Sequence, residues 1–204
     1  MPDTSNPAAS ASAEQPKMLR ARTWRRHVVR TAWVLLAVGA GSLGLVGANE
    51  VQRQLARNAL QSEMLDAHNA ARRDVGFPPL VWSKRLEANA AAYAGTMARS
   101  RRFAHSANLD GAPAQGENLW MGTHGAYSYA DMAGAWVEER QFYDGGSIDD
   151  AFAAGNFGDI GHYTQIIWRR TTHVGCAIST DTNDDYLVCR YMPAGNVLGG
   201  SPGD

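Results

Sequence analysis

The sequence predicts an α+β domain in which helices cover an antiparallel sheet. Apolar residues recur at helical spacing through much of residues 58–143, whereas short segments rich in β-branched and aromatic residues follow after residue 162. A short polar turn separates the last two of these segments, as in a β-hairpin. Helices that come first and strands that come last, joined by hairpins, are typical of the α+β class. The chain of 204 residues is long enough for one such domain and an extension.

The first 48 residues differ in composition from the rest of the chain. Residues 1–27 form a basic tail rich in Ala, Ser and Pro, for which we expect disorder in the cytoplasm. Residues 28–48 end in "TAWVLLAVGAGSLGLVGA", a run of 18 residues without a charge. A helix of that length spans about 27 Å, close to the hydrocarbon thickness of a bilayer. Because the Arg-rich segment precedes the run, we expect the remainder of the chain outside the cytoplasmic membrane.

Two interpretations of residues 28–48 remain open. The long basic region and the long apolar run favour an uncleaved transmembrane anchor. The small residues of "VGA" at 46–48 are also compatible with a signal segment that is removed on secretion. In either case residues 49–59 are interpreted as a linker, residues 60–198 as the folded domain and residues 199–204 as a tail.

Three helices are predicted within and just before the domain. The first runs from about 58 to 75 and ends at "GFPPL", since proline cannot continue a helix. Ser83 is suited to cap the second helix, and the third covers 128–143. Their inward stripes contain Met64, Leu65, His68, Ala71 and Arg72, then Leu86, Ala90, Tyr93 and Met97, then Met132, Trp136, Glu139 and Tyr143.

Strands and loops are predicted between and after these helices. Residues 101–116 are a predicted loop, and "ENLWMG" is a predicted short strand that follows it. Residues 144–161 contain five glycines and are predicted to form a second long loop. The segments "YTQIIW", "VGCAIST" and "YLVCRYM" are the three remaining predicted strands.

The two cysteines lie in the last two predicted strands. Pairing these strands around the turn at 181–184 places Val174 opposite Tyr191, Cys176 opposite Cys189 and Ile178 opposite Leu187, all on one face. A Cys176–Cys189 disulfide is therefore predicted in an oxidising compartment, where it adds about 3 kcal/mol of stability. Two buried free thiols are the alternative.

One carboxylate of the third predicted helix requires a partner. Glu139 is three residues after Trp136 and four before Tyr143, so it shares their apolar stripe, whereas the adjacent Glu138 does not. A carboxylate that faces inward is costly unless it is paired or hydrogen-bonded. His162, in "GHYTQIIW", is one candidate partner.

Six segments together resemble a known family. They are "MLDAHNAARRDVGFPPLVWSKRLEANAAAYA", "FAHS", "GENLW", "WVEERQFYD", "GHYTQIIW" and "VGCA". In order and approximate spacing they resemble the CAP superfamily, which includes cysteine-rich secretory proteins, insect venom allergens of the antigen 5 type and plant pathogenesis-related class-1 proteins. The resemblance implies a three-layer α-β-α sandwich with a central antiparallel sheet, the SCP domain, and a cleft lined by two His and two Glu. The matching residues are His105, Glu117, Glu139 and His162.

This set of four side chains permits two kinds of site, or a structural role in which a buried polar network only fixes the cleft. His105 and His162 are predicted to bind Zn²⁺ or another divalent cation weakly, because two imidazoles without a third protein ligand make a loose site. The glutamates would then orient the imidazoles or a water. A metal-dependent hydrolase or peptidase is the alternative, with Glu139 and Glu117 as its candidate catalytic carboxylates. A role without catalysis is favoured, because the sequence contains neither an HExxH motif nor an evident nucleophile beside a base.

The function predicted from the sequence is that of an extracytoplasmic ligand-binding protein. The resemblance implies a small hydrophobic ligand such as a lipid or sterol, bound away from the His/Glu cleft. Contact with a membrane is expected through the N-terminal segment. The net charge of −1 offers no general attraction for nucleic acid, so that class of partner is not expected.

Overall fold

The computed structural model of the protein describes residues 42–107 and 114–204. The predicted tail at 1–27, and the part of the predicted anchor or signal segment at 28–41, lie outside the described residues. Within the two described ranges, no helix combines the length and the hydropathy needed to cross a membrane. The interpretation of residues 28–48 therefore stays a prediction.

The first helix, α1, is longer than the sequence suggests. It spans Ser42–Asp74 and includes residues 49–59, the predicted linker. Residues 47–58 are exposed along the helix. From residue 60 onward one face becomes buried, through Leu60, Met64, His68, Ala71 and Arg72. The part of α1 that contributes to the core thus begins at Leu60.

The second helix, α2, spans Lys84–Ser100 and begins as predicted. The hydroxyl of Ser83 accepts a hydrogen bond from the N–H of Leu86 at 3.4 Å, which satisfies one of the free donors in the first turn. The buried face consists of Leu86, Ala90, Ala94, Met97 and Ala98. Tyr93, the remaining residue of the predicted stripe, is half-buried at the edge of the same core.

Four strands form one mixed sheet. They are β1 (Val81–Trp82), β2 (Gly116–Thr123), β3 (His173–Thr180) and β4 (Asp184–Met192), in the spatial order β1-β3-β4-β2. The pairs β3–β4 and β2–β4 are antiparallel, but β1 is parallel to β3. The prediction of a wholly antiparallel sheet is therefore wrong at one edge. There the connection between α1 and α2 runs along β3, and the N–H groups of Val81 and Ser83 donate to carbonyl groups of that region.

The predicted register of the C-terminal hairpin is confirmed. Val174 pairs with Tyr191, Cys176 with Cys189 and Ile178 with Leu187. A disulfide joins Cys176 and Cys189, whose Cα atoms are 4.1 Å apart, and the described residues contain no free cysteine.

Helices cover both faces of the sheet. One core cluster joins α1 and the later helices to one sheet face, through residues such as Met64, Trp136, Ile166, Cys176 and Cys189. The other cluster joins α2 to the opposite face, through Ala90, Ala94, Met97, Ala177 and Val188. Because side chains of β3 and β4 alternate between these two clusters, the described residues form three layers.

The segment "GHYTQIIW" is a helix and not the predicted strand. A short helix, here called α5, spans Gly161–Ile166. At its first turn the carboxylate of Glu139 accepts the backbone N–H groups of His162 and Tyr163, at 2.9 and 3.0 Å. At its other end the guanidinium of Arg72 donates to the carbonyl oxygen of Ile166 at 2.9 Å. These distant charged groups satisfy both ends of the helix and override the β-branched character of the segment.

The middle of the chain departs from the prediction in two further places. The third helix, α3, spans Tyr129–Val137 and is followed by a 3₁₀ helix at Glu138–Phe142, so the predicted helix is divided. The predicted loop at 144–161 contains a helix, α4, at Ile148–Ala154 and a 3₁₀ turn at Phe157–Asp159. The hydroxyl of Ser147 caps α4 by accepting the N–H of Asp150, and this N-cap directly follows two glycines, which on their own favour a loop.

Candidate functional site

The first His–Glu pair joins the loop after α2 to the start of β2. The imidazole Nδ1 of His105 lies 2.7 Å from Oε1 of Glu117, and the backbone N–H of Ser106 donates to the same oxygen at 3.0 Å. The Glu117 side chain is fully buried, whereas 63% of the His105 side chain is exposed. The carboxylate therefore lies inside the domain and presents the imidazole to solvent.

A buried arginine supports this pair from the neighbouring strand. Arg190 of β4 is directly opposite Glu117 of β2, and its Nη2 lies 2.9 Å from Oε2 of Glu117. Nη2 also donates to the hydroxyl of Ser106 at 3.1 Å. Burial by itself raises the pKa of the Glu117 carboxyl, but the hydrogen bond with His105 and the charge of Arg190 outweigh it and hold that pKa below its ordinary value. Glu117 is therefore ionised at neutral pH.

The second His–Glu pair joins the 3₁₀ helix after α3 to the first turn of α5. Nδ1 of His162 lies 2.5 Å from Oε1 of Glu139, while Oε2 accepts the two backbone N–H groups at the start of α5. The indole of Trp136 stacks on the His162 ring, with centroids 5.8 Å apart and planes inclined by 18°. The inward-facing Glu139 is thus paired with His162, the candidate partner named from the sequence.

Asn118 connects the two pairs. It follows Glu117 in β2, and its side-chain amide donates to the carbonyl oxygen of His162 at 3.1 Å. The structure therefore brings all four sequence-predicted residues to one end of β2, as two separate pairs. Sequence reasoning missed the supporting roles of Asn118, Arg190 and the Trp136 ring.

The imidazole nitrogens of the two pairs are the candidate ligands for a divalent cation. Because each Nδ1 faces a carboxylate, the neutral form of each ring carries its proton on Nδ1 and has the lone pair on Nε2. Within the described part of the chain, neither Nε2 has a hydrogen-bond partner. Across residues 42–107 and 114–204, no three His, Cys, Asp or Glu side chains are grouped so as to hold a metal ion. The described residues would therefore offer a cation at most two imidazoles, a ligand set for which affinity is low.

A third imidazole is held in the same manner at the other end of β2. Nδ1 of His124 lies 2.9 Å from Oδ1 of Asp185, and the N–H of Gly125 donates to Oδ2 at 2.9 Å. The hydroxyl of Thr180 donates to Oδ1 at 2.6 Å. No motif pointed to this pair, which lies seven residues beyond Glu117, about 24 Å away along an extended strand.

The remaining polar residues of α1 hold the fold together. Nδ1 of His68 lies 2.7 Å from the Met64 carbonyl oxygen and Nε2 lies 2.8 Å from the Tyr191 hydroxyl, while burial lowers the pKa of His68 to about 4. The guanidinium of Arg72 donates only to backbone carbonyl oxygens, and burial lowers its pKa to about 10. Those carbonyl groups belong to Pro78, Ile166, Trp168, Arg169 and Thr171. His68 and Arg72 have no access to a ligand and are structural.

Comparison with known proteins agrees with this architecture. The chain is 41% identical to "Pathogenesis-related protein 1B" of Nicotiana tabacum over 143 residues, which is 70% of this chain and 80% of that protein. It is 36% identical to "Pathogenesis-related protein PRMS" of Zea mays over 163 residues, covering 78% of this chain and 92% of the relative. The fold is similar to that in "Crystal structure of NaASP2 with Zn2+", with a TM-score of 0.54 and 24% identity over 71% of this chain and 84% of that one. The model of the cysteine-rich secretory protein family, CAP, matches residues 65–191, and the chain belongs to that family.

Proposed function

We propose that the domain acts outside the cytoplasmic membrane as a binding protein, and that His105 and His162 bind a divalent cation such as Zn²⁺. The observation that carries this proposal is the shared arrangement of the two rings. Each Nδ1 lies on a glutamate, at 2.7 Å for His105 and 2.5 Å for His162. A carboxylate on one ring nitrogen fixes the tautomer and makes the other nitrogen a better metal ligand.

The chemistry favours weak binding over catalysis. A bound cation would supply Lewis acidity, but Glu117 and Glu139 are already occupied by imidazole and backbone N–H groups. Against the effect of burial, the pKa of Glu117 is lowered by its hydrogen bonds and by Arg190, and a carboxylate whose ionised form is stabilised in this way is a poor general base. One neighbour in fold, NaASP2, was crystallised with Zn²⁺, which makes Zn²⁺ the natural first probe for this chain.

Location outside the cytoplasmic membrane is supported by the covalent structure. The Cys176–Cys189 disulfide joins adjacent central strands, and such bonds persist mainly in oxidising compartments. The similarity to pathogenesis-related proteins is consistent with this location. A small hydrophobic ligand, of the lipid or sterol class, remains part of the proposal on the strength of the family alone. Retention of radiolabelled sterol or fatty acid above a heat-denatured control tests that part.

Calorimetric titration with Zn²⁺ tests the metal site. Wild-type protein is expected to take up Zn²⁺ weakly, and His105→Ala or His162→Ala to abolish the uptake. The matched control is His124→Ala, which removes a ring that is also held by a carboxylate but lies at the far end of β2. This control should leave the titration unchanged.

Two outcomes would contradict the proposal. Absence of Zn²⁺ uptake by wild-type protein at neutral pH removes the metal site. Turnover in a broad peptidase and esterase screen that Glu139→Gln abolishes would favour the hydrolase alternative. In a binding protein, Glu139→Gln changes only cation affinity and stability.

A further inference from the structure

We propose that Arg190 is a positioning residue that holds the Glu117–His105 pair in place from the neighbouring strand. The part of the proposal that concerns metal affinity rests on the proposed function. The part that concerns the orientation of the His105 ring does not, because it concerns hydrogen bonds that exist without a ligand. The orientation of the His162 ring should not depend on Arg190.

The position of Arg190 is set by the sheet. Arg190 and Glu117 are direct partners in the antiparallel β2–β4 register, and their side chains are 8% and 0% exposed. Nη2 lies 2.9 Å from Oε2 of Glu117. Because β4 is an interior strand and β2 pairs with it along its whole length, the two backbones are fixed relative to each other, and the guanidinium determines where the carboxylate lies.

The same guanidinium also holds the loop that carries His105. The hydroxyl of Ser106 accepts a hydrogen bond from Nη2 at 3.1 Å, and the backbone N–H of Ser106 donates to Glu117. Beneath the guanidinium lies the ring of Tyr93, with Cζ of Arg190 5.3 Å from its centroid. The Tyr93 hydroxyl donates to the carbonyl oxygen of Ala104 at 2.5 Å. Arg190 and the groups it touches therefore hold three consecutive loop residues, of which His105 is the middle one.

The geometry of the ion pair argues against a purely stabilising role. A guanidinium that stabilises a carboxylate best uses two parallel N–H···O bonds. Here Oε2 of Glu117 and Nε of Arg190 are buried atoms without a hydrogen-bond partner, so the fork is not aligned with the carboxylate. Buried polar atoms that lack partners reduce stability, and the contact instead directs Nη2 toward both Glu117 and Ser106. Among the described residues, Glu139 has no arginine or lysine partner, so this device belongs to the first pair alone.

Nuclear magnetic resonance of the imidazole nitrogens in the metal-free protein tests the positioning role. Wild-type His105 should show one set of ring signals with the proton on Nδ1. In Arg190→Gln we expect the His105 signals to shift and broaden toward a mixture of tautomers, while those of His162 and His124 stay in place. Arg101→Gln is the control, since Arg101 lies four residues before His105 in the sequence but pairs with Asp181 beside the β3–β4 turn, away from Glu117. Unchanged His105 signals in folded Arg190→Gln, or equal changes at His162, would overturn the proposal.

A conservative variant keeps the test decisive if Arg190→Gln does not fold. Arg190→Lys retains the charge, but a single ammonium group replaces the planar fork. It should restore stability while the His105 signals remain broader than in wild type. Full recovery of the wild-type signals in Arg190→Lys would show that only charge matters and would contradict positioning.

Zn²⁺ affinity provides the second measurement. Loss of a group that orients a ligand typically weakens metal binding about 10-fold to 100-fold, which is the effect expected for folded Arg190→Gln. Unchanged affinity would contradict the proposal. If wild-type protein takes up no Zn²⁺, the proposed function fails, and the imidazole signals alone decide the role of Arg190.

Discussion

The two His–Glu pairs reach the same imidazole orientation by different physical means. In the first pair, a fully buried Glu117 on a strand is compensated by a buried cation, Arg190, on the next strand. In the second pair, Glu139 has no such cation among the described residues and instead accepts two backbone N–H groups at the start of α5. One carboxylate is held by a full charge and the other by the partial charges of a helix end.

The two pairs therefore also differ in net charge. When both imidazoles are neutral, the first pair with Arg190 carries no net charge, whereas the second pair carries the negative charge of Glu139. Under the proposed function, a cation at the two rings would therefore be attracted more strongly from the side of His162. The first pair is charge-compensated, and the second is the more negatively charged half of the candidate site.

The largest expected effect comes from removal of the buried charge of the first pair. Glu117→Gln leaves Arg190 buried without its counter-charge, and loss of one partner of a buried ion pair costs about 3–5 kcal/mol. Glu139→Gln retains an amide oxygen that can accept a backbone N–H, so its cost should be about 1–2 kcal/mol. Urea denaturation followed by circular dichroism measures both free energies of unfolding. Equal losses, or a larger loss for Glu139→Gln, would show that the two pairs are supported alike.

The sequence allowed the C-terminal hairpin to be predicted almost completely. Alternation in β3 and β4 placed both cysteines on one face, and only one register joins them. The four candidate site residues were found from motifs. Arg190 was missed because its role depends on the pairing of β2 with β4, which no disulfide or turn marks in the sequence.

Two of the wrongly predicted elements, α5 and β1, are specified by residues that are distant in the sequence. The sequence of helix α5 predicts a strand, because Ile166 and Ile167 have high β propensity. The acceptor for its first turn comes instead from Glu139, which lies 23 residues before His162. Strand β1 has only two residues, Val81 and Trp82, and exists because the edge of β3 is available to it. Local patterns cannot encode either interaction.

A smaller effect should appear at the third pair, where no arginine or lysine of the described residues forms an ion pair with the carboxylate. Burial raises the pKa of Asp185, but hydrogen bonds from Thr180, Gly125 and His124 outweigh it and lower that pKa overall. A lowered folded-state pKa gives stability that is present above the unfolded value, near 3.9, and is lost as pH falls through the folded value. Asp185→Asn should therefore reduce the loss of stability between about pH 5 and pH 2.

The measurement for Asp185→Asn is the urea midpoint across that pH range, compared with wild type. Thr172→Val is a suitable control, since Thr172 is exposed and lies away from the third pair. If the acid dependence of Asp185→Asn matches that of wild type, then hydrogen bonds alone do not hold the carboxylate ionised. The third pair would then no longer be an example of a carboxylate that is held ionised by hydrogen bonds alone.

The smallest effect expected is that of Tyr93→Phe, which leaves both ion-paired groups intact. This change removes only the hydrogen bond from the Tyr93 hydroxyl to the Ala104 carbonyl oxygen and keeps the ring under Arg190. The free energy of unfolding should fall by about 0.5–1.5 kcal/mol, as for a typical intramolecular hydrogen bond. Because Ala104 precedes His105, amide hydrogen exchange should become faster at residues 104–106 and stay unchanged at residues 161–163. Faster exchange in both segments would mean that the two pairs are mechanically coupled, most directly through Asn118, and that the first pair is not an independent support.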